Sequence, residues 1–121
     1  MTVLAGIQIP FTVNERGDQI TTSRLQLDDG APPVSIACRY QPSMGRWLTT
    51  VSSTDGTVFV SDRGLEHQED VLDNIVTTGR PRGAIVCLTS DGLAPTRTVW
   101  TDGGQLVYFP DGITQLWDGV V

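Results

Sequence analysis

Residues Pro32 to Asp62 read PPVSIACRYQPSMGRWLTTVSSTDGTVFVSD. Val34, Ile36, Cys38 and Tyr40 alternate with Ser35, Ala37 and Arg39, the period of two that sets one strand face in a core and the other in water. A Pro-Ser-Met-Gly break ends this run, and RWLTTVS begins a second. The Ser53 to Gly56 turn then leads into TVFVS. The stretch predicts a three-stranded meander over 34–40, 47–52 and 57–61. Trp47 opens its middle strand, where a ring closes the end of a core while its N–H stays near water.

The same grammar extends outward. Asp-Gly occurs six times, at Asp29, Asp55, Asp91, Asp102, Asp111 and Asp118 with the glycine following each; both residues tolerate the positive φ of tight turns. IQIPFTV alternates Ile7, Ile9, Phe11 and Val13, and SRLQL offers Leu25 and Leu27. GAIVCLT is apolar on both faces and predicts a central, covered strand that includes Val86. TVW and QLVYF flank Asp102-Gly103-Gly104 as a hairpin. One short helix is expected over Glu69–Val76, with acidic residues at its start. The expected fold is all-β, a small barrel or sandwich of about seven to nine short antiparallel strands with one short helix.

The chain has 121 residues, enough for a single domain spanning 1–121. Residues 1–13 are expected to form an N-terminal strand or docking arm. Residues 110–121 read as a C-terminal docking tail, because Ile113, Leu116, Trp117, Val120 and Val121 make an apolar end that either folds back or docks on another chain. No run approaches the ~20 apolar residues of a membrane span, and the N-terminus lacks the basic start of a secretory signal. The net charge of −6 argues against nucleic acid and anionic membrane surfaces as partners. All eight basic residues are arginine. Lysine is a common guard of exposed strand edges, so the edges must be covered by loops, charged with Arg or Asp, or paired with a neighbour.

Residue types that carry chemistry are present without the patterns that use them. The acidic group Asp62, Glu66, Glu69, Asp70 and Asp73 lacks the ligand alternation and bend glycine of a calcium loop. His67 is the lone histidine and no nucleophile-elbow motif accompanies it. Cys38 and Cys87 lie inside apolar runs and read as reduced core residues. Neither a metal site, a cofactor site nor a catalytic set is expected, so the chain is read as a non-enzyme.

Residues 23–109 resemble the baseplate plug proteins of tailed phages, a family of small tail proteins. The resemblance rests on the order strand, polar turn, Trp, strand, Asp-Gly turn, strand, with Tyr40 and Trp47 bracketing the polar turn. It continues through an apolar segment around Leu65 and Val71-Leu72. It closes with RGAIVCLTSDGLAPTRTVWTDGGQLVYFP, where Pro95-Thr96 precedes a last strand ending Leu106-Val107-Tyr108. RGLEHQEDVLDNIV departs from the family, which usually has a glycine turn followed by Asp-Leu-Leu. The resemblance implies a structural virion protein at a tail tip or baseplate, made in the host cytoplasm. Its implied partners are the hub, the tail-tube or distal tail ring, and copies of itself.

Interface cores favour Trp, Tyr, Arg and Met over Lys. On that ground Met44, Arg46, Trp100 and Trp117 are the expected protein-contact residues, and Tyr40, Trp47, Cys38, Cys87 and Val86 the structural core. The alternative reading is a carbohydrate- or cell-wall-binding module that uses exposed tryptophans.

Overall fold

The structure, a computed structural model, describes residues 6–28 and 30–110. Its strands are β1 (Ile7–Ile9), β2 (Thr12–Val13), β3 (Gln19–Leu25), β4 (Val34–Gln41), β5 (Arg46–Ser53), β6 (Val58–Gly64), β7 (Ala84–Leu88) and β8 (Gln105–Phe109). They form a five-stranded sheet in the order β2-β3-β4-β5-β6 and a three-stranded sheet in the order β1-β8-β7. Every strand pairing is antiparallel. The fold is all-β, and the two sheets make a sandwich rather than a closed barrel. Expectations that fall on residues 111–121 lie outside the described residues.

The meander β4-β5-β6 forms as its pattern predicts. β4 and β5 pair in unbroken register from Val34↔Ser53 to Gln41↔Arg46. Their turn closes with the Met44 and Gly45 amides donating to the Gln41 carbonyl at 3.1 and 2.9 Å. Gly45 takes φ 64° there, a conformation with little cost for glycine. At the next turn Gly56 takes φ 96°, and the Thr57 amide donates to Asp55 Oδ1 at 3.0 Å. Apolar residues of both sheets fill the space between them, including Ile20, Ile36, Val51, Ile85, Leu106 and Tyr108.

Four local expectations are corrected. IQIPFTV is two strands: proline has no N–H for a ladder, and the chain changes sheets at Pro10, with Ile9 opposite Leu106 and Thr12 opposite Thr21. Its apolar residues therefore do not share one buried face; Ile9 is 1% exposed and Ile7 50%. GAIVCLT supplies an edge strand, β7, not a central one. The TVW segment contains a short 3-10 helix, Val99–Thr101, and β8 pairs with β1 and β7 instead. Residues 71–74 form a turn within an irregular segment in place of the helix expected over 69–76.

That last segment is held by β7. The Gln68 amide donates to the Cys87 carbonyl at 2.9 Å and the Val71 amide to the Ile85 carbonyl at 2.8 Å. The Ile85 amide in turn donates to Asp70 Oδ1 at 3.1 Å, and the Thr89 amide to His67 Nδ1 at 3.0 Å. Residues 67–71 thus occupy the outer edge of β7. Along this edge the lysine-free chain uses a covering loop, one of the three solutions open to it.

Candidate functional site

The densest set of sequence-selected residues lies where the loop 94–101 crosses the end of the five-stranded sheet. Trp47, the first fully buried residue of β5, is 0% exposed. Its ring meets Tyr40 edge-on at 5.5 Å between centroids and Trp100 at 5.6 Å, and Trp100 meets Phe11 at 5.1 Å. Such edge-to-face pairs place the positive ring edge against a negative face. The Trp47 N–H donates to the Thr96 carbonyl at 2.8 Å. It is satisfied inside the protein and not by water, a correction to the sequence reading.

Arg97 locks the same loop to the β2-β3 turn. Its guanidinium donates to the Gly17 carbonyl at 2.7 Å and the Arg16 carbonyl at 2.8 Å, and it lies 5.7 Å from the centroid of the Tyr40 ring. Beside it is a shallow cleft of about 210 Å³, lined in part by Val13, Arg16, Arg97 and Trp100. Trp100 is itself 9% exposed. It packs into the aromatic cluster and does not stand out as a contact residue.

The other expected contact residues fall in different places. Met44 is 56% exposed at the tip of the β4-β5 turn. Arg46 is half-buried, and its Nη2 lies 3.0 Å from Glu66 Oε1. Trp117 lies outside the described residues. The described tryptophans, Trp47 and Trp100, are both buried, so neither offers the exposed stacking platform that the glycan-binding reading requires. Of the expected core, Trp47, Cys38 and Cys87 are buried in the main cluster and Tyr40 packs half-buried against it. Val86 is buried in a second cluster on the other side of the small sheet.

Of the polar side chains that sequence offers to chemistry, Asp62, Glu66, His67 and Asp70 are engaged in holding backbone or in ion pairs. Asp62 pairs with Arg39 at 3.3 Å. Asp70 Oδ1 accepts from the Leu72 amide at 2.9 Å as well as from Ile85. Burial of its carboxyl raises its pKa, which those two amides and the nearby Arg80 partly oppose. His67 accepts at Nδ1, so its proton resides on Nε2. Among the described residues no three His, Cys, Asp or Glu side chains gather as a metal set. Both cysteines are free thiols. Burial pushes Cys38 up to about 11, opposed by its contact with Thr49. Burial likewise pushes Cys87 up to about 12, far from the low values that activate a thiol nucleophile.

Two polar anchors escaped the sequence reading. Asp28, 8% exposed, accepts from the Tyr108 hydroxyl at 2.6 Å and from the Arg82 amide at 2.9 Å. The Tyr108 oxygen accepts from the Gly83 amide at 2.9 Å. Arg80 donates to the carbonyls of Leu72, Ile75, Pro81 and Gly83 at 2.6–3.0 Å. Asp28 sits in a Leu-Asp-Asp-Gly turn signal and Arg80 in Gly-Arg-Pro-Arg-Gly. Both look like solvent-facing loop residues, and only the tertiary fold brings their partners to them. No family model and no curated protein matches this sequence.

Proposed function

We propose that the chain is a structural component of a phage tail tip or baseplate, packing between the central hub and surrounding tail proteins. The observation that supports this best is the use made of its polar residues. His67, Asp70, Asp28, Arg80 and Arg97 are all bound to backbone groups that fix loops. Such a scaffold works by presenting a rigid surface, and pre-organised surfaces lose little freedom on docking. Exposed apolar side chains on its edges and loops, Ile7, Met44, Val58 and Leu93, supply contact points. The resemblance of residues 23–109 to baseplate plug proteins is what favours this particular assembly.

The test is immunogold labelling of intact virions of the encoding phage with antibody against the folded domain. Gold confined to the distal end of the tail is the expected result. Gold on the capsid, or virions that remain unlabelled when opened tails are also unlabelled, would overturn the reading.

A further inference from the structure

In an Asp-Gly pair the glycine nitrogen attacks the aspartate's own side-chain carboxyl more readily than in other pairs, because glycine puts no Cβ in the way. Asp55-Gly56, Asp91-Gly92 and Asp102-Gly103 lie in described turns; Asp29, Asp111 and Asp118 lie outside the described residues. The three glycines share positive φ, at 96°, 75° and 89°, but their surroundings differ. The Asp55 and Asp91 carboxylates bend along the chain in the same way. Each Oδ1 accepts from the amide two residues on, Thr57 and Leu93, at 3.0 Å. The attacking nitrogen separates them. The Gly56 amide donates to the Ser53 carbonyl at 3.1 Å, whereas the Gly92 amide has no acceptor among the described residues. Bonds from Thr57 and Ser53 also hold the Asp55 carboxyl below its usual range, in the carboxylate form that is the poorer electrophile. At the third pair the Asp102 carboxylate turns back to accept from the Thr98 hydroxyl at 2.7 Å. The Asp102 carbonyl is tied by the Ser90 hydroxyl at 2.8 Å. Asp91 and Gly92 are exposed, and so is Leu93 beside them.

We propose that the fold leaves Asp91-Gly92 as the foremost site of spontaneous isoaspartate formation among these three pairs. The Gly92 nitrogen bonds to the Asp91 Cγ and gives up its proton, and the carboxyl oxygen leaves as water, closing a succinimide. Water then opens the ring. Attack at the Cγ carbonyl restores aspartate; attack at the main-chain carbonyl leaves the backbone running through the side chain. No reactant besides water is required. The altered link lengthens the main chain by one carbon inside a small clasp. There the Thr89 hydroxyl donates to the Leu93 carbonyl at 2.8 Å and the Thr89 amide to His67 Nδ1 at 3.0 Å. The modification therefore loosens the end of β7 where the covering loop 67–71 is pinned. The inference stands apart from the tail-tip reading, and either can fail alone.

The experiment is peptide mapping of the full-length protein after weeks in warm neutral buffer, using fragmentation that distinguishes isoaspartate from aspartate. A parallel sample is held unfolded in guanidinium chloride. In the folded protein isoaspartate should accumulate several times faster at Asp91 than at Asp55 or Asp102, and in the unfolded chain the three rates should draw together. Equal rates in the folded protein, a faster rate at Asp55 or Asp102, or no isoaspartate at Asp91 while the unfolded chain forms it, would overturn the proposal. A preference for Asp91 that persists unchanged in the unfolded chain would also overturn it, because the fold would not be its cause.

Discussion

The indole of Trp47 and the backbone carbonyl of Thr96 are joined by a hydrogen bond of 2.8 Å across a sequence separation of 49 residues. This bond ties the start of β5 to the loop that feeds the 3-10 helix and β8. The ring beneath it carries the Tyr40 and Trp100 contacts, so one side chain supplies both the apolar anchor and the polar tether. Trp47→Ala should cost about 3–5 kcal/mol, the range for deleting a buried large ring. Trp47→Phe keeps part of the ring and leaves the Thr96 carbonyl with the Val99 amide as its remaining donor, for a loss of about 1 kcal/mol from the missing hydrogen bond. Urea unfolding followed by far-ultraviolet circular dichroism separates the two values. A loss below about 1 kcal/mol for the alanine variant would mean that the ring is not a core anchor.

Tyr108→Phe tests the buried Asp28 network. The substitution removes the donor to Asp28 and the acceptor of the Gly83 amide while keeping the ring. Two buried polar groups lose a partner, at about 1–3 kcal/mol each, so a loss of about 2–4 kcal/mol is expected. The midpoint of chemical denaturation gives the value directly.

Arg80→Lys tests whether geometry or charge holds the loop 72–83. One guanidinium reaches four carbonyls; an ammonium has three donors on a single atom and cannot span the same set. A loss of about 1–3 kcal/mol is expected despite the retained charge. Limited proteolysis should find the new cut sites between Leu72 and Gly83.

The meander was legible because residues 34–40 show a clear period of two and the Pro-Ser-Met-Gly and Ser-Thr-Asp-Gly turns mark off the two strands that follow. The rest was hidden by long-range partners. Val71, Leu72, Ile75 and Val76 have helical spacing, but the Val71 amide pairs with β7 and Asp70 takes the Leu72 amide into its carboxylate. Positive φ at Gln68 and Asn74 then bends the chain at both sides. GAIVCLT looked central because both its faces are apolar; it is an edge strand whose burial comes from the 67–71 cover and the second apolar cluster, neither of which has a local signal. Of the aromatic cluster, Trp47 and Tyr40 were legible through strand phase. Trp100 was misplaced because a three-residue 3-10 turn has too few positions to show a period.

The cysteines and Tyr108 predict an alkaline limit. Thiols ordinarily near 9.0 are raised to about 11 at Cys38 and about 12 at Cys87 by burial. Burial, reinforced by the bond to Asp28, raises the Tyr108 hydroxyl from 10.0 to about 12. Well below pH 9 all three groups are neutral whether the chain is folded or not, so stability is undiminished by them. Between pH 9 and about 12 the unfolded chain ionises first, and stability falls as pH rises through the folded values. Denaturation midpoints should hold from pH 7 to 8.5 and decline above 9. At pH 8 the native protein should react with a thiol reagent far more slowly than the unfolded chain does.

Asp70→Ala tests the covered β7 edge. The Leu72 and Ile85 amides lose their acceptor, for an expected loss of about 2–4 kcal/mol. An uncovered edge pairs readily with other chains, so faster aggregation during refolding should accompany the loss. Asp70→Asn retains an oxygen for both amides and should lie much closer to the parent.

The proposed assembly role is tested most directly by quantitative mass spectrometry of purified virions of a phage that carries this sequence, scaled to a tail protein of known copy number. The account predicts a few copies per particle, in a multiple of three. Absence of the chain from the particle would contradict it.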